Sequence, residues 1–234
     1  MYISGVYVSY EALTIGLIAV FVLSLIAQGR VKRVFKRYND VPAARSIPAY
    51  AAAQEMLWSN GSGVAVQPVQ GTLTDHYDPR SDTVGLSTEV YNSASAAALA
   101  IAAHEVGHVL QYQDGYAPIR WRTTLLPAAN LGATLGPYMI LFGLILSFFP
   151  LAVLGLGLYG AMFVFQVVTL PVELNASRRG LALLDAGGYV DGESRDAAKK
   201  VLTAAAWTYI LAALGSLVNF LRFFLLVSGN RRRN

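Results

Sequence analysis

The sequence predicts a mainly α-helical membrane protein that carries a small α+β portion between its membrane helices. Hydrophobic residues make up 55% of the 234 positions and charged residues only 14%, whereas soluble domains usually have roughly 45–50% and about 25%. Four apolar stretches are candidates for membrane helices, which need roughly 20 residues. They are 12–27, 125–148, 151–170 and 204–227.

Each stretch has flanks that support its interpretation as a span. The first, 12–27, is followed by a basic block and has none before it, which is typical of a retained anchor and not of a cleaved signal. Only Phe149 and Pro150 separate the second stretch from the third, so the two predict a helical hairpin. The fourth contains Asn219 and Arg222, and an intramembrane Arg usually faces a polar partner or reaches for the interface.

The distribution of positive charge predicts the orientation, because Lys and Arg collect on the cytoplasmic side of a membrane. Six Lys and Arg residues lie within 30–45 and none within 1–11, which places the N-terminus outside and residues 28–124 in the cytoplasm. The hairpin then returns 171–203 to the same side. The basic tail at 231–233 does not fit: either a short late tail escapes the rule, or the last helix does not fully cross.

The portion between the first span and the hairpin has mixed local patterns. The expected elements are a helix over 49–59 and strands at 64–69, 73–78 and 83–88, with a turn at 79–82. Ser93 or Ser95 can cap a second helix through AAALAIAAHEVGHVLQYQ, which ends at Asp114 and Gly115. We therefore expect a small sheet with a hairpin beside two helices.

The string His104-Glu105-Val106-Gly107-His108 lies inside this second helix. Residues four apart share a helix face, so both imidazoles can converge on one ion, while Glu105 can reach a water on that ion. The chain has no cysteine, so any metal must be held by His, Asp or Glu. We interpret the string as a zinc-binding motif with a glutamate base.

A catalytic zinc needs three protein ligands and an open position for water. The third ligand must be His76 or a carboxylate, and Glu173 is the best candidate because it directly follows the third membrane stretch. Asn175 and Ser177 come two and four residues later, and Ser177 shares the face of Glu173, which suits a hydrogen bond to a ligand. The alternative is that Glu173 is an interfacial acid at a helix start.

The strings AHEVGHVLQYQDGYAPIRWR and ELNASRRG, with LTDHYDP before them and VLTAAAWTYILAAL after them, resemble the YugP-type bacterial membrane zinc metallopeptidases. The resemblance covers nearly the whole chain. It implies a zincin-like (minigluzincin-like) catalytic domain with one zinc on His104, His108 and Glu173 and with Glu105 as base. The chain is more distantly similar to the HtpX-type membrane proteases, which have an acidic residue where this chain has Ser177.

These residues predict an endopeptidase in which a zinc-activated water attacks a peptide bond and Glu105 moves the proton. His76 can donate to the oxyanion or steady a substrate carbonyl, or it can only shape its turn by bonding Asp75 or Asp78. Further candidate donors are Tyr77, Tyr112 and Arg178.

The expected site lies at the cytoplasmic surface of the cell membrane, and the resemblance implies a bacterial plasma membrane. We expect substrates that are membrane proteins or peptides near the bilayer, and no nucleic acid, because the basic residues border apolar spans.

Two other functions would use these residues differently. A non-proteolytic zinc-binding scaffold or chaperone would not need Glu105. A metal transporter would place its ligands at mid-membrane. The expected segments are an anchor (1–29), a catalytic portion (30–124), a membrane hairpin (125–170), a helix and loop with the third ligand (171–203) and a last membrane helix with a basic tail (204–234).

Overall fold

The computed structural model describes residues 2–3, 6–7 and 9–231, and the side chains of residues 9–229. This part of the chain contains five strands and seven helices. In chain order they are β1 (Tyr2–Ile3), β2 (Val6–Tyr7), α1 (Tyr10–Tyr38), α2 (Ala49–Ser59), β3 (Ala65–Val69), β4 (His76–Asp78), β5 (Thr83–Ser87), α3 (Thr88–Tyr91), α4 (Ala96–Gln113), α5 (Ala117–Ile145), α6 (Phe149–Ala186) and α7 (Gly192–Arg231). β1 and β2 pair with each other in an antiparallel ribbon.

Four helices, α1, α5, α6 and α7, are long and apolar enough to cross a membrane. No more than 28% of the most apolar window of any of them is buried within the protein. An apolar surface that faces outward to this extent suits contact with lipid, because soluble proteins rarely expose large apolar patches. The mainly helical membrane fold with a small sheet is therefore confirmed.

The helices extend beyond the apolar stretches that predict them. α1 continues through the basic block to Tyr38, since Lys and Arg are good helix formers and Pro42 is the next proline. α6 continues through Pro171 to Ala186 without a break, so Glu173 lies inside a helix and not at a helix start. Prolines are tolerated inside membrane helices when neighbouring groups satisfy the freed backbone carbonyl.

The chain divides into two compact units. The first unit comprises residues 1–26, 120–170 and 208–234, and the second comprises 27–119 and 171–207. The first contains most of the apolar helical sequence, and the second contains the three-stranded sheet and the candidate metal ligands. The boundaries of the five expected segments stay a prediction.

Within the first unit, α5 and α6 pack as the predicted hairpin. A Cβ on Gly132 would lie 2.0 Å from the carbonyl oxygen of Leu158. Only glycine permits two helix backbones to approach so closely, and small residues serve this purpose in membrane helix pairs.

Arg222, in the same unit, finds polar partners. Its Nε donates to the hydroxyl of Tyr10 (3.0 Å) and its Nη1 donates to Asn219 Oδ1 (3.2 Å). Asn219 donates in turn to the hydroxyl of Tyr159 (2.8 Å). These bonds lower the cost of placing polar groups among apolar helices. The side chains of the basic tail at 231–233 lie outside the described residues, so full crossing by α7 stays a prediction.

In the second unit, β5 is the central strand of a three-stranded sheet. It runs parallel to β3 and antiparallel to β4. The predicted turn at 79–82 joins β4 to β5, and Asp78 Oδ1 stabilises it by accepting from the backbone N–H of Arg80 (2.9 Å). β4 is an edge strand that contacts α4.

α4 forms the centre of the second unit. Leu99 and Val106 have no exposed surface, and α2, α3 and the sheet all contact this helix. Ser95 is the N-cap, because its Oγ accepts from the backbone N–H of Ala98 (3.1 Å). Gly115 follows the C-cap with φ of +61°, as expected of a glycine that ends a helix. The helix that carries HEVGH is thus held on several sides.

Candidate metal centre

His104 and His108 extend from α4, and Glu173 extends from α6, into one cluster. Oε2 of Glu173 lies 3.3 Å from His104 Nε2 and 3.5 Å from His108 Nε2. One potential ligand atom of each residue lies within 4.8 Å of the other two. Within the described part of the chain, this is the one group of three or more His, Asp or Glu residues with such geometry. His76 is outside it.

The two distances from Glu173 Oε2 fit the spacing of neighbouring ligand atoms around a tetrahedral zinc. Zinc bonds of roughly 2.0–2.1 Å place neighbouring ligand atoms of a tetrahedron about 3.3–3.4 Å apart. The observed separations of 3.3 and 3.5 Å match this edge, and they exceed the roughly 2.7–2.9 Å of a charge-assisted hydrogen bond. Two imidazoles and one glutamate also form a known donor set for catalytic zinc, which leaves the fourth position open.

Hydrogen bonds to the opposite ring nitrogens hold both imidazoles in place. Nδ1 of His104 lies 3.1 Å from Ser177 Oγ, and Nδ1 of His108 lies 2.9 Å from Gln111 Oε1. Bonds of this kind set the orientation of a metal-binding imidazole. Both Nε2 atoms therefore face Glu173.

Glu105 lies beside the cluster on α4 and is only 7% exposed. Burial raises the pKa of its carboxyl group, and the neighbouring His104 and His108 offset this only in part. Its carboxylate makes no hydrogen bond to any residue in the described part of the chain. The group can therefore accept a proton from a water molecule without first breaking a bond to the protein.

α4 and α6 are in direct backbone contact behind the cluster. A Cβ on Gly107 would lie 2.5 Å from the carbonyl oxygen of Ala176, and one on Gly180 would lie 2.8 Å from the backbone of Ala103. Because the obstacle in both places is main chain, a larger residue would push the helices apart. The glycine within HEVGH thus sets the distance at which Glu173 meets the histidines.

Asn175 contacts the network around the ligands and not a ligand itself. Its Oδ1 accepts from Gln111 Nε2 and from Arg179 Nε, both at 2.9 Å. Arg179 also forms an ion pair with Asp114 at the end of α4. Sequence reasoning missed Gln111, although its position three residues after His108 puts the two side chains on one helix face.

Comparison with known proteins assigns the chain to a family. The sequence model of the family described as "Putative neutral zinc metallopeptidase" matches residues 13–228. The chain belongs to this family. It is also 40% identical over 218 residues to "Putative membrane protease YugP" of Bacillus subtilis (strain 168), a match that covers 93% of this chain and 97% of that protein. No solved structure matches the chain significantly.

Family membership connects the cluster to zinc and the chain to the membrane. Zinc is the metal in the description of the family, and His104, His108 and Glu173 form the group that could hold it. The Bacillus subtilis relative is described as a membrane protease, and four helices here are long and apolar enough to span. The protein is therefore a membrane protein of a zinc metallopeptidase family.

In this member of the family, His76 lies on the edge strand β4 and is exposed. Its Nδ1 is 2.8 Å from the carbonyl oxygen of Thr74, so Thr74, and not Asp75 or Asp78, is its hydrogen-bond partner. Asp75 instead accepts from the backbone N–H of Ser87 (2.7 Å). The ring of His76 is thus anchored by one nitrogen, while the other is turned away from that bond.

The remaining candidate donors are in different settings. Tyr77 and Tyr112 pack edge to face with ring centroids 5.5 Å apart. The Tyr77 hydroxyl donates to Asp82 Oδ1 (2.8 Å), and burial together with this bond raises the pKa of Tyr77. The hydroxyl proton of Tyr77 is therefore engaged in a hydrogen bond to the turn 79–82. Arg178 is exposed on α6.

Proposed function

We propose that this chain is a zinc-dependent endopeptidase of the membrane, with His104, His108 and Glu173 as metal ligands and Glu105 as general base. The observation that carries the proposal is the convergence of two imidazole Nε2 atoms and one carboxylate oxygen. A buried glutamate with no hydrogen bond to the described residues lies beside them. A non-proteolytic zinc scaffold would have no use for such a carboxylate.

The side chains would act one after another in the hydrolysis of one peptide bond. Zinc, when bound, supplies a Lewis acid that acidifies a water and polarises the scissile carbonyl. Glu105 takes a proton from the attacking water and later delivers it to the leaving amine. Ser177 and Gln111 keep the two imidazoles turned so that their Nε2 atoms stay on the side of Glu173.

We propose that the substrate binds as an extended strand along β4. This strand pairs with β5 on one side only, so its other edge offers backbone groups to a peptide. β4 also contacts α4, the helix that carries both histidines of the cluster. His76 is exposed on this strand, and we assign it a contact with a substrate carbonyl or with the oxyanion.

We further propose that the site faces the cytoplasm near the membrane surface of a bacterial cell. Glu173 follows the apolar stretch 151–170 within α6, and α4 ends only a few residues before α5 begins at Ala117. The ligands are therefore close in the chain to predicted spans. This closeness favours membrane proteins, or peptides near the bilayer, as substrates.

Cysteine labelling tests the orientation, because the chain has no cysteine of its own. Ser81→Cys places one thiol in the exposed turn 79–82, and Ser147→Cys places one in the exposed turn between α5 and α6. We expect a membrane-impermeant maleimide to label Ser147→Cys in intact cells, but Ser81→Cys only after permeabilisation. Labelling of Ser81→Cys in intact cells would contradict the cytoplasmic placement.

Metal removal tests the activity itself. Full-length protein in detergent is incubated with a fluorescence-quenched peptide library and with a single-span membrane reporter. We expect cleavage to stop when a chelator removes the metal and to return with one equivalent of zinc. Cleavage that persists without metal would refute the proposal. Stoichiometric zinc binding with no cleavage of either probe would favour the scaffold or chaperone alternative.

A further inference from the structure

We propose that Gln111 is a positioning residue that selects the tautomer of His108 and thereby presents its Nε2 to the metal. This inference rests on the proposed function and adds a residue to its machinery. Gln111 has no exposed surface and lies one helical turn after His108 on α4.

The orientation of the Gln111 amide follows from its two bonds to α6. Its Nε2 donates to the carbonyl oxygen of Val172 (2.8 Å) and to Asn175 Oδ1 (2.9 Å). A backbone carbonyl can only accept a hydrogen bond, so the group of Gln111 that faces Val172 must be its NH₂. Oε1 is therefore the atom that lies 2.9 Å from His108 Nδ1.

The tautomer of His108 follows from that orientation. An amide oxygen can only accept, so Nδ1 of the ring must carry a proton and donate it to Gln111. In a neutral imidazole the lone pair is then on Nε2. This is the nitrogen that lies 3.5 Å from Glu173 Oε2, where a metal ligand is needed.

The far end of the network prevents the amide groups from turning over. Asn175 Oδ1 accepts from Arg179 Nε (2.9 Å), and a guanidinium can only donate. Arg179 is paired with Asp114 at the C-cap of α4. If either amide were reversed, two donors or two acceptors would face each other in a buried place.

The other imidazole has no such constraint. Its Nδ1 faces the hydroxyl of Ser177 (3.1 Å), and a hydroxyl can donate or accept as it rotates. Ser177 therefore orients His104 but accommodates both tautomers. Of the two hydrogen-bond partners, Gln111 and Ser177, only Gln111 therefore selects a tautomer.

Zinc affinity of the full-length protein in detergent, measured by competition with a chromophoric chelator, tests the proposal. Gln111→Met removes the acceptor and the donor at similar size, and we expect a fall of roughly 10–100-fold, as for other partners of metal ligands. Gln111→Glu keeps an acceptor for Nδ1–H, and we expect it to bind zinc more tightly than Gln111→Met. The matched control is Gln113→Met, at an exposed position on the same helix, for which no change is expected.

The order of the two variants separates positioning from space filling. A residue that only fills space would tolerate Met better than a carboxylate facing the carbonyl of Val172. Zinc affinity would then follow the melting temperatures measured on the same samples. Equal affinity of wild type and Gln111→Met, or weaker binding by Gln111→Glu than by Gln111→Met, would overturn the proposal.

Long-range ¹H–¹⁵N spectra of the zinc-loaded wild type give a second readout that the added charge of Gln111→Glu does not affect. We expect a protonated Nδ1 and a metal-bound Nε2 for His108, and the reverse tautomer would overturn the proposal at any affinity. Failure of the wild type to bind zinc at all would instead overturn the proposed function. The two failures are thus distinguishable.

Discussion

Replacement of Glu105 by Gln should abolish peptide-bond cleavage and leave zinc binding close to that of the wild type. The amide has nearly the same shape as the carboxylate but cannot take a proton from water. A general base contributes roughly 10²–10⁴-fold to a rate, so we expect at least that loss in kcat. Glu105 is not one of the three converging residues, so elemental analysis should find an unchanged metal content.

Glu89→Gln is the matched control, because Glu89 is an exposed acid on α3 in the same unit. It should change neither rate nor metal content. If the Glu105→Gln variant still cleaved peptides, a group other than Glu105 would have to be the general base. Loss of zinc in that variant would show that Glu105 serves the metal directly.

Replacement of Glu173 by Gln should remove zinc from the protein, and cleavage should disappear with it. The carboxylate oxygen that lies between the two imidazoles is the single anionic donor of the set, and a neutral amide is a poor ligand for zinc. We expect the affinity to fall by more than the roughly 10–100-fold that the loss of an outer partner costs. Competition with a chromophoric chelator measures the change.

Glu193→Gln, in the exposed first turn of α7, controls for the loss of one negative charge and should bind zinc normally. Glu173→Asp tests the reach of the side chain, since it keeps the charge but shortens the arm by one methylene. We expect it to bind zinc with intermediate affinity. Full zinc occupancy in Glu173→Gln would move the third ligand to a different residue.

The two substitutions together distinguish a base from a ligand. Glu105→Gln should separate zinc binding from cleavage, whereas Glu173→Gln should remove both. The backbone contact between Gly107 and Ala176 supports this expectation, because it holds α6 at a fixed distance from the two histidines. Glu173 can then reach the cluster without any movement of the helices.

Local patterns predicted the parts of the fold that depend on neighbouring residues. The helix 49–59 and the turn at 79–82 occur as expected, because a capping residue or a turn sequence acts within a few positions. The helix bounds were less accurate. α6 passes through Pro171, although a proline alone suggests a break.

Contacts between distant segments were harder to predict. Gln111 was missed although it lies on the same helix face as His108, because its two other bonds go to residues of another helix. One nearby contact was missed as well. Asp75 and Asp78 were the partners considered for a His76 that only shapes its turn, but the bond goes to the main-chain carbonyl of Thr74, and every residue has such a carbonyl.

The sequence by itself determined that His104 and His108 share one face of a helix with Glu105 beside them, because the spacing of helical side chains depends only on local geometry. It also determined the apolar helices that make this a membrane protein, because their length and composition are local properties. Only the tertiary structure decided that Glu173 meets both imidazoles and that Gln111 bonds one of them. Those contacts depend on how closely α4 and α6 pack, and that distance is set by main-chain contact at Gly107 and Gly180.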